Sequence, residues 1–364
     1  MTTSSTLYCE AKNKTLSPSL RHIVVARFSA MGDVAMLVPV LRAVLRQNQL
    51  RITLITRPQF VPIFSNIEGL SLKTLDLKNS HAGMMGLWRL SREVKSLKPD
   101  HFLDLHDVLR TKILKGFLKI QGIQYSTFSK GRAEKNKRVA QFEDAAPWLK
   151  STHERYADAF SALGLKLELI PQERASLEQF AISSVVQSHL AELRPPQGRL
   201  IGLAPFAAYP GKTYPVESTR ELCQKLVQQG HTVLLFGAPG AEQEGLESVA
   251  SSCDGAHSVA GKWTFNQELE LMSALDLMIA MDSSNGHLAA NFGLPVLTLW
   301  GATHPSLGFA PYGQPRANQL CADRTVFPMI PTSVYGNKLP PGATQVMHSI
   351  SPERVLEKAL KILD

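Results

Sequence analysis

A polar turn between two apolar runs is the stretch of this sequence whose residue types best suit the binding of an anion. Residues 282–286 (DSSNG) follow Leu277–Met281, an apolar run typical of a buried strand, and precede a short helix predicted over 287–292. Free backbone N–H groups and the helix dipole favour an anion such as phosphate at a helix N-terminus. The next predicted strand, Val296–Trp300, ends in a second polar turn, so both turns should leave one edge of a parallel sheet, where ligands bind.

The turn after the first predicted strand, 22–28, carries a carboxylate that could act as a general base. Asp33 lies in this turn beside Gly32, which permits the close approach of a ligand. A carboxylate held at a sheet edge can accept the proton of an attacking hydroxyl group. Asp33 could instead cap the helix predicted to begin at Val34, and the residues alone favour this capping role.

A lysine on a short loop offers a positive charge for the same chemistry. Lys212 lies in 209–215 (YPGKTYP), directly after a strand predicted over 200–205. A lysine on a Gly/Pro-rich loop can approach a phosphate as a point charge, although a lone loop lysine is usually solvated. Glu217, in the first turn of the next helix, suits either a ribose contact or an interaction with the helix dipole.

Composition limits the kinds of protein this chain can be. Its 364 residues, 44% hydrophobic and 19% charged, predict a globular protein of about two domains. No apolar run approaches the roughly 18 residues of a membrane span, and the polar first 20 residues resemble a disordered leader rather than a signal peptide. We therefore expect a cytoplasmic protein. The four cysteines are far apart, which argues against a disulfide framework or a structural zinc site.

Apolar strands alternate with helical patterns along the whole chain, which predicts an α/β protein with parallel sheets. The alternation pauses at 194–198 (RPPQG), so we expect two Rossmann-like domains facing each other across a cleft. The predicted divisions are a flexible leader (1–20), an N-terminal domain (21–194), a C-terminal domain (195–350) and a closing helix (351–364). Within the first domain, 130–138 (KGRAEKNKR) is expected to be a basic loop.

Charge is distributed unevenly between the two halves. Residues 1–190 contain 27 Lys and Arg against 16 Asp and Glu, a net charge of +11, whereas residues 191–364 contain 12 against 15, a net charge of −3. A basic N-terminal half indicates an anionic partner such as a phosphorylated glycan, a membrane surface or a nucleic acid. The chain has no stacking-aromatic or recognition-helix motif, so we expect no binding of nucleic acid.

Three stretches in register resemble one known family. Residues 22–46, 202–226 and 276–313 are similar in order and spacing to glycosyltransferase family 9, the ADP-heptose:lipopolysaccharide heptosyltransferases, and the resemblance spans about residues 20–362. It implies a GT-B fold, in which the C-terminal domain binds a nucleotide-sugar donor and the N-terminal domain binds the acceptor. The reaction would then take place in the cleft between them.

The resemblance also implies roles for individual residues. It favours Asp33 as the base that takes the acceptor proton over the capping role. The implied donor-binding residues are Lys212, Glu217, Asp282, Ser283, Ser284, Asn285, Gly286 and His287. The implied acceptor-binding residues are Gly32, Arg57 and Arg132, facing an anionic lipid-linked glycan at the inner face of the cytoplasmic membrane. The chain has no Asp-x-Asp pair, so we expect no metal and no cofactor beyond the nucleotide sugar.

The predicted function is therefore an inverting, metal-independent transfer of a heptose or related sugar, with ADP-heptose as the expected donor. The chain departs from the family at Ser284, where glycine is usual, and in the region after 313, where only Cys321 represents several family cysteines. A non-catalytic, nucleotide-sugar-binding homologue is the alternative. A dinucleotide-dependent oxidoreductase is disfavoured, because the first turn contains Gly32 alone rather than a G-x-G-x-x-G pattern.

Overall fold

A computed structural model describes residues 21–171 and 180–364, and its first half is a parallel sheet flanked by helices. The strands are β1 (His22–Ala26), β2 (Arg51–Thr56), β3 (Leu70–Thr74), β4 (His101–Asp104) and β5 (Tyr125–Thr127). The helices are α1 (Met31–Ala35), α2 (Val38–Gln47), α3 (Gly83–Ser96), α4 (Leu109–Ile120), α5 (Arg132–Ala140), α6 (Thr152–Ser161) and α7 (Ser184–Leu193), with a 3-10 helix at Pro58–Phe64. The strand order is β3-β2-β1-β4-β5, and Val25 of β1 lies opposite Leu54 and Leu103.

The second half repeats this plan. Its strands are β6 (Leu200–Ala204), β7 (Thr232–Leu235), β8 (Ala256–Ser258), β9 (Leu277–Met281), β10 (Val296–Trp300) and β11 (Gln319–Cys321). Its α-helices are α8 (Val216–Gln228), α9 (Ala241–Ala250), α10 (Phe265–Ser273), α11 (Ser284–Ala290) and α12 (Pro352–Leu363). The parallel order β11-β10-β9-β6-β7-β8 is the order of a doubly wound nucleotide-binding sheet.

Burial explains why the apolar runs form strands. Every residue of β1, β6, β9 and β10 is buried, as expected for parallel strands covered by helices on both faces. One apolar cluster continues from the first half into the second, and it includes Val34 and Leu37 beside Leu288 and Ala289. The two halves therefore pack directly against each other near α1 and α11.

Several expectations are confirmed. Strands β9 and β10 have the predicted bounds. The predicted closing helix forms as α12. Pro352 occupies its first position, and the side chain of its N-cap, Ser351, accepts a hydrogen bond from the Arg354 N–H. The two sheets fall on either side of 194–198, whereas the exact domain divisions stay predictions. The leader, 1–20, and the start of a weak helix predicted over 175–193 lie outside the described residues.

Other expectations are wrong. The helix predicted to begin at Val34 is two helices, α1 and α2, and the helix predicted to begin at His287 starts at Ser284. The basic segment 130–138 is mostly helix α5 rather than a loop. Gly131 precedes α5 in the left-handed conformation, and Lys135 is buried with its ammonium 3.8 Å from the centre of the Phe309 ring. In the described ranges, no helix combines the length and apolarity needed to cross a bilayer.

Candidate active site

The strand order of each sheet reverses at one point, between β1 and β4 in the first half and between β6 and β9 in the second. Ligands of open α/β sheets bind outside the carboxyl ends of the strands at such points. The segment after β1 contains Asp33, and the loops after β6 and β9 contain Lys212 and Asp282. Because α1 contacts α11, the two crevices face each other.

Both crevices open into one cavity of about 660 Å³, a volume typical of small-molecule sites. It brings together most of the predicted site residues. The lining includes Gly32, Asp33, Lys212, Asp282, Ser283, Ser284, Asn285 and His287. Gly286 is buried behind this surface, where a Cβ atom would lie 3.3 Å from Pro311 Cγ.

Asp33 is fixed by partners from the first half. It is the third residue of α1, whose N-cap is Ala30, so the predicted capping role is wrong. Its carboxylate instead forms an ion pair with Arg27, whose other amino group donates to the Leu105 carbonyl oxygen at 2.6 Å. The Tyr156 hydroxyl donates to the backbone carbonyl of Asp33 at 3.2 Å. The Asp33 side chain remains 32% exposed while that of Arg27 is 4% exposed, so the carboxylate faces the cavity and the guanidinium does not.

Lys212 and Asp282 form a second ion pair, in the second half of the molecule. The Lys212 Nζ lies 3.1 Å from Asp282 Oδ2, which also accepts a hydrogen bond from the Thr303 hydroxyl at 2.8 Å. Asp282 thus orients a lysine rather than loop N–H groups, as far as the described residues show. The Pro/Gly-rich region after 322 covers this lysine, because a Cβ atom on Gly336 would lie 2.9 Å from Lys212 Cδ.

The turn at 282–286 forms the start of α11, with Ser283 as its N-cap. Ser284 is helical and has no positive φ, so glycine is not required there. The Ser283 hydroxyl and His287 Nδ1 are buried without a hydrogen-bond partner in the described part of the chain. Buried polar atoms are rarely left unpaired, so these two atoms are suited to bind a ligand in the cavity.

The His287 ring is placed and kept neutral by its surroundings. A Cβ atom on Gly32 would lie 3.3 Å from His287 Cδ2, so glycine allows α1 to approach the ring closely. Burial lowers the pKa of His287 to about 4, and the charge of Lys212 acts in the same direction against the opposing Asp282 and Asp33. At neutral pH this imidazole therefore has one donor and one acceptor nitrogen.

Comparison with known proteins identifies the family. The family model described as Glycosyltransferase family 9 (heptosyltransferase) matches residues 87–330, more than half of the chain. The chain belongs to glycosyltransferase family 9. It is 26% identical over 301 residues to the lipopolysaccharide core heptosyltransferase OpsX of Haemophilus influenzae, covering 80% of this chain and 82% of that protein.

Solved structures show that this family 9 chain has the GT-B fold of the heptosyltransferases. The family 9 glycosyltransferase of Veillonella parvula superposes with a TM-score of 0.71 at 19% identity, covering 96% of this chain and 99% of that chain. The Escherichia coli heptosyltransferase WaaC with ADP gives a TM-score of 0.63 at 15% identity, covering 94% and 99% of the two chains. The predictions of the fold, the family and glycosyltransferase activity are thus confirmed.

Three predicted site residues lie outside the cavity of this family 9 glycosyltransferase. Glu217 is exposed in the first turn of α8, where it meets the helix dipole. Arg57 is half-buried between β2 and the 3-10 helix, and Arg132 is exposed at the start of α5, 3.7 Å from Asp107. None of these three therefore lines the cavity with Asp33 and Lys212.

The two arginines nevertheless belong to a positively charged rim. Burial lowers the pKa of His106 to about 3, and the next causes are the charges of Arg27, Lys130, Arg57 and Arg110. The charge of Arg132 helps to lower the pKa of Lys130. Positive side chains thus cluster beside the Asp33 end of the cavity.

The same cavity contains residues that the sequence reasoning missed. Four aromatic side chains and two carboxylates lie there: Phe206, Phe236, Trp263, Phe265, Glu242 and Glu268. The sequence could have indicated five of them, because they follow strands β6, β7 or β8 at the same sheet edge as Lys212. Tyr335 also lines the cavity. It lies in the irregular region after 322, where no pattern in the sequence indicates a place in the site.

Proposed function

We propose that this glycosyltransferase moves a heptose, or a closely related sugar, from ADP-heptose to an inner-core sugar of lipopolysaccharide, with inversion and without a metal ion. One observation carries the proposal: a carboxylate from the first half lines the same cavity as a lysine and a helix N-terminus from the second half. The names of the relatives support the choice of substrates, since OpsX is a lipopolysaccharide core heptosyltransferase and WaaC was solved with ADP.

The diphosphate of the donor would bind at Lys212 and the start of α11. Lys212 Nζ is held by Asp282. In the described part of the chain it donates no other hydrogen bond, so two of its three N–H groups can donate to phosphate oxygens. The unpartnered Ser283 hydroxyl and neutral His287 supply further hydrogen bonds beside the first backbone N–H groups of α11. These groups stabilise the charge that grows on the leaving diphosphate, which is the main electrostatic demand of the reaction.

Asp33 would act on the opposite side of the sugar. Its carboxylate takes the proton of the acceptor hydroxyl as the hydroxyl oxygen bonds to the anomeric carbon. The bond from that carbon to the diphosphate oxygen breaks at the same time, and its electron pair leaves with the diphosphate. This single displacement inverts the configuration, because the acceptor oxygen attacks the face of the anomeric carbon opposite the departing diphosphate.

The positively charged rim fits an anionic acceptor. Arg57, Arg110, Lys130 and Arg132 surround the Asp33 end, where carboxylates or phosphates of an inner-core glycan would be attracted. An acceptor anchored in the inner face of the cytoplasmic membrane would also place this rim near anionic lipid headgroups.

The proposal is tested by incubating the protein with ADP-heptose and a lipid A–Kdo acceptor, with and without EDTA. We expect turnover that EDTA does not change and a product of inverted anomeric configuration. Loss of turnover in EDTA, restored by a divalent cation, would overturn the metal-free mechanism. Tight binding of ADP-heptose without any transfer would favour a non-catalytic binding protein instead.

A further inference from the structure

Glu268 is a carboxylic acid in the lining of the cavity. It lies on α10, is half-buried, and lines the cavity together with Phe206, Phe236, Trp263 and Phe265. Among residues 21–171 and 180–364, its carboxyl group has no hydrogen-bond or ion-pair partner. This carboxyl group is therefore available to a ligand that enters the cavity.

The topology places Glu268 where the base of the donor would lie. Along the edge of the second sheet, the loops follow the order β9, β6, β7, β8. The loops after β9 and β6 form the diphosphate surface, and the sugar extends from it towards Asp33. The nucleoside must therefore extend the other way, past β7 to β8, which is three strand spacings or roughly 14 Å from β9. Trp263 and the start of α10 lie at that end.

The start of α10 is held rigidly. The Thr264 and Gln267 side chains form a capping box that fixes its first turn. The His189 ring of α7 supports Trp263 with 5.0 Å between ring centroids. Glu268 follows this turn directly, and helical side chains lean towards the N-terminus, here towards Trp263. An aromatic surface beside one carboxyl group suits a flat heterocycle with a polar edge.

The surroundings of Glu268 favour its neutral form. Burial raises the pKa of Glu268 to about 7. The elements packed on α10 bring few charges: the 3-10 helix Pro58–Phe64 has no titratable side chain, α7 contributes His189 and Glu192, and α11 contributes the neutral His287. The Glu270 carboxylate of α10 itself is bonded to Ser183 and Asn266, and that of Glu242 accepts from the Ala238 N–H.

We propose that Glu268 recognises the donor base, its carboxyl group accepting a hydrogen bond from the 6-amino group of adenine and donating one to N1. A protonated carboxyl group has one donor and one acceptor, which match this edge. The inference rests on the proposed function, because it needs a nucleoside diphosphate in the cavity. It makes Glu268 a specificity residue with no part in the transfer of the sugar.

The test compares ADP with purine riboside 5′-diphosphate, which lacks the 6-amino group, by calorimetric titration of three variants. The wild type should bind ADP roughly three- to tenfold more tightly than the analogue, the worth of one hydrogen bond. Glu268→Gln, which keeps one donor and one acceptor, should preserve this preference, whereas Glu268→Leu should bind both nucleotides equally. Glu244→Leu, at an exposed position of α9, is the matched control and should behave as the wild type.

A pH series adds a second readout. As the pH rises from 6 to 8.5, the wild type should lose affinity for ADP relative to Glu268→Gln, since the proton shared with N1 is lost. The ratio of the two affinities is the readout, because the terminal phosphate of ADP ionises near pH 6 in both experiments alike. The role of Glu268 is overturned if Glu268→Leu, folded by its thermal melting curve, still prefers ADP over the analogue. A wild-type protein that binds no nucleoside diphosphate at all overturns the proposed function as well.

Discussion

Two ion pairs face each other across the cavity, and they differ in which partner is presented to it. Arg27 and Asp33 come from the first half, and there the acid is about a third exposed while the cation is buried. Lys212 and Asp282 come from the second half, where both side chains are about a tenth exposed and the acid also binds Thr303. The two pairs therefore have opposite roles. In the first pair the cation orients the reacting acid, and in the second pair the acid orients the cation that binds the donor.

The largest effect should follow from changing the exposed acid. Asp33→Asn should lower kcat by about 10²- to 10⁴-fold, the usual contribution of a general base. Its affinity for ADP should stay near that of the wild type, because Asp33 lies on the sugar side of the cavity. Steady-state kinetics and ADP titration of the same sample measure both quantities. A comparable loss of ADP affinity would mean that the first ion pair organises the donor site instead.

The next largest effect should follow from replacing Lys212, the cation of the second ion pair. Lys212→Met should lower kcat/KM by about 10²- to 10³-fold, as expected for the loss of one group that stabilises the leaving charge. It should also weaken ADP binding.

The single variant leaves the carboxylate of Asp282 without its partner, so a second variant is needed. In Lys212→Met/Asp282→Asn the unpaired charge is gone, and activity should remain low. Recovery in the double variant would show that an uncompensated Asp282 caused the defect, and that Lys212 serves the structure rather than the diphosphate.

The buried cation of the first pair should matter less than the acid it holds. Arg27→Met should lower kcat by roughly tenfold, in keeping with one charged hydrogen bond that positions Asp33. The donor KM should change little, and Arg27→Lys should restore part of the rate. A raised donor KM with unchanged kcat would instead assign Arg27 to ligand binding.

The comparison also shows where the sequence was informative. Continuous apolar runs predicted β9 and β10 correctly, because strands buried on both faces need no alternation. Polar residues that follow predicted strands indicated both sides of the cavity. Ligands bind at the carboxyl ends of parallel strands, and this rule depends on topology rather than on contacts between distant residues.

The features that the sequence did not predict depend on contacts between distant elements. The orientation of Arg27 requires the carbonyl of Leu105, 78 residues away. The basic run in α5 concealed a helix whose Lys135 is buried beneath Phe309 of the second half. Glu268 sits in a helical pattern that gives no sign of its burial, which the 3-10 helix of the first half helps to create.

The smallest expected effect concerns how closely the two ion pairs approach each other. Gly32 lies between them, and Gly32→Ala would place a methyl group 3.3 Å from His287 Cδ2 and 3.6 Å from the Ser284 Cα. Overpacking of this kind destabilises a folded protein by about 1 kcal/mol or more. If α1 shifts to relieve the contact, Asp33 moves with it, so we expect kcat to fall several-fold. Gly116→Ala in α4 is the matched control, since its added methyl group has no neighbour within 4 Å and should raise the melting temperature slightly. If Gly32→Ala left kcat and the ADP affinity unchanged, the contact between α1 and α11 would not set the distance between base and diphosphate, and the two pairs would act independently.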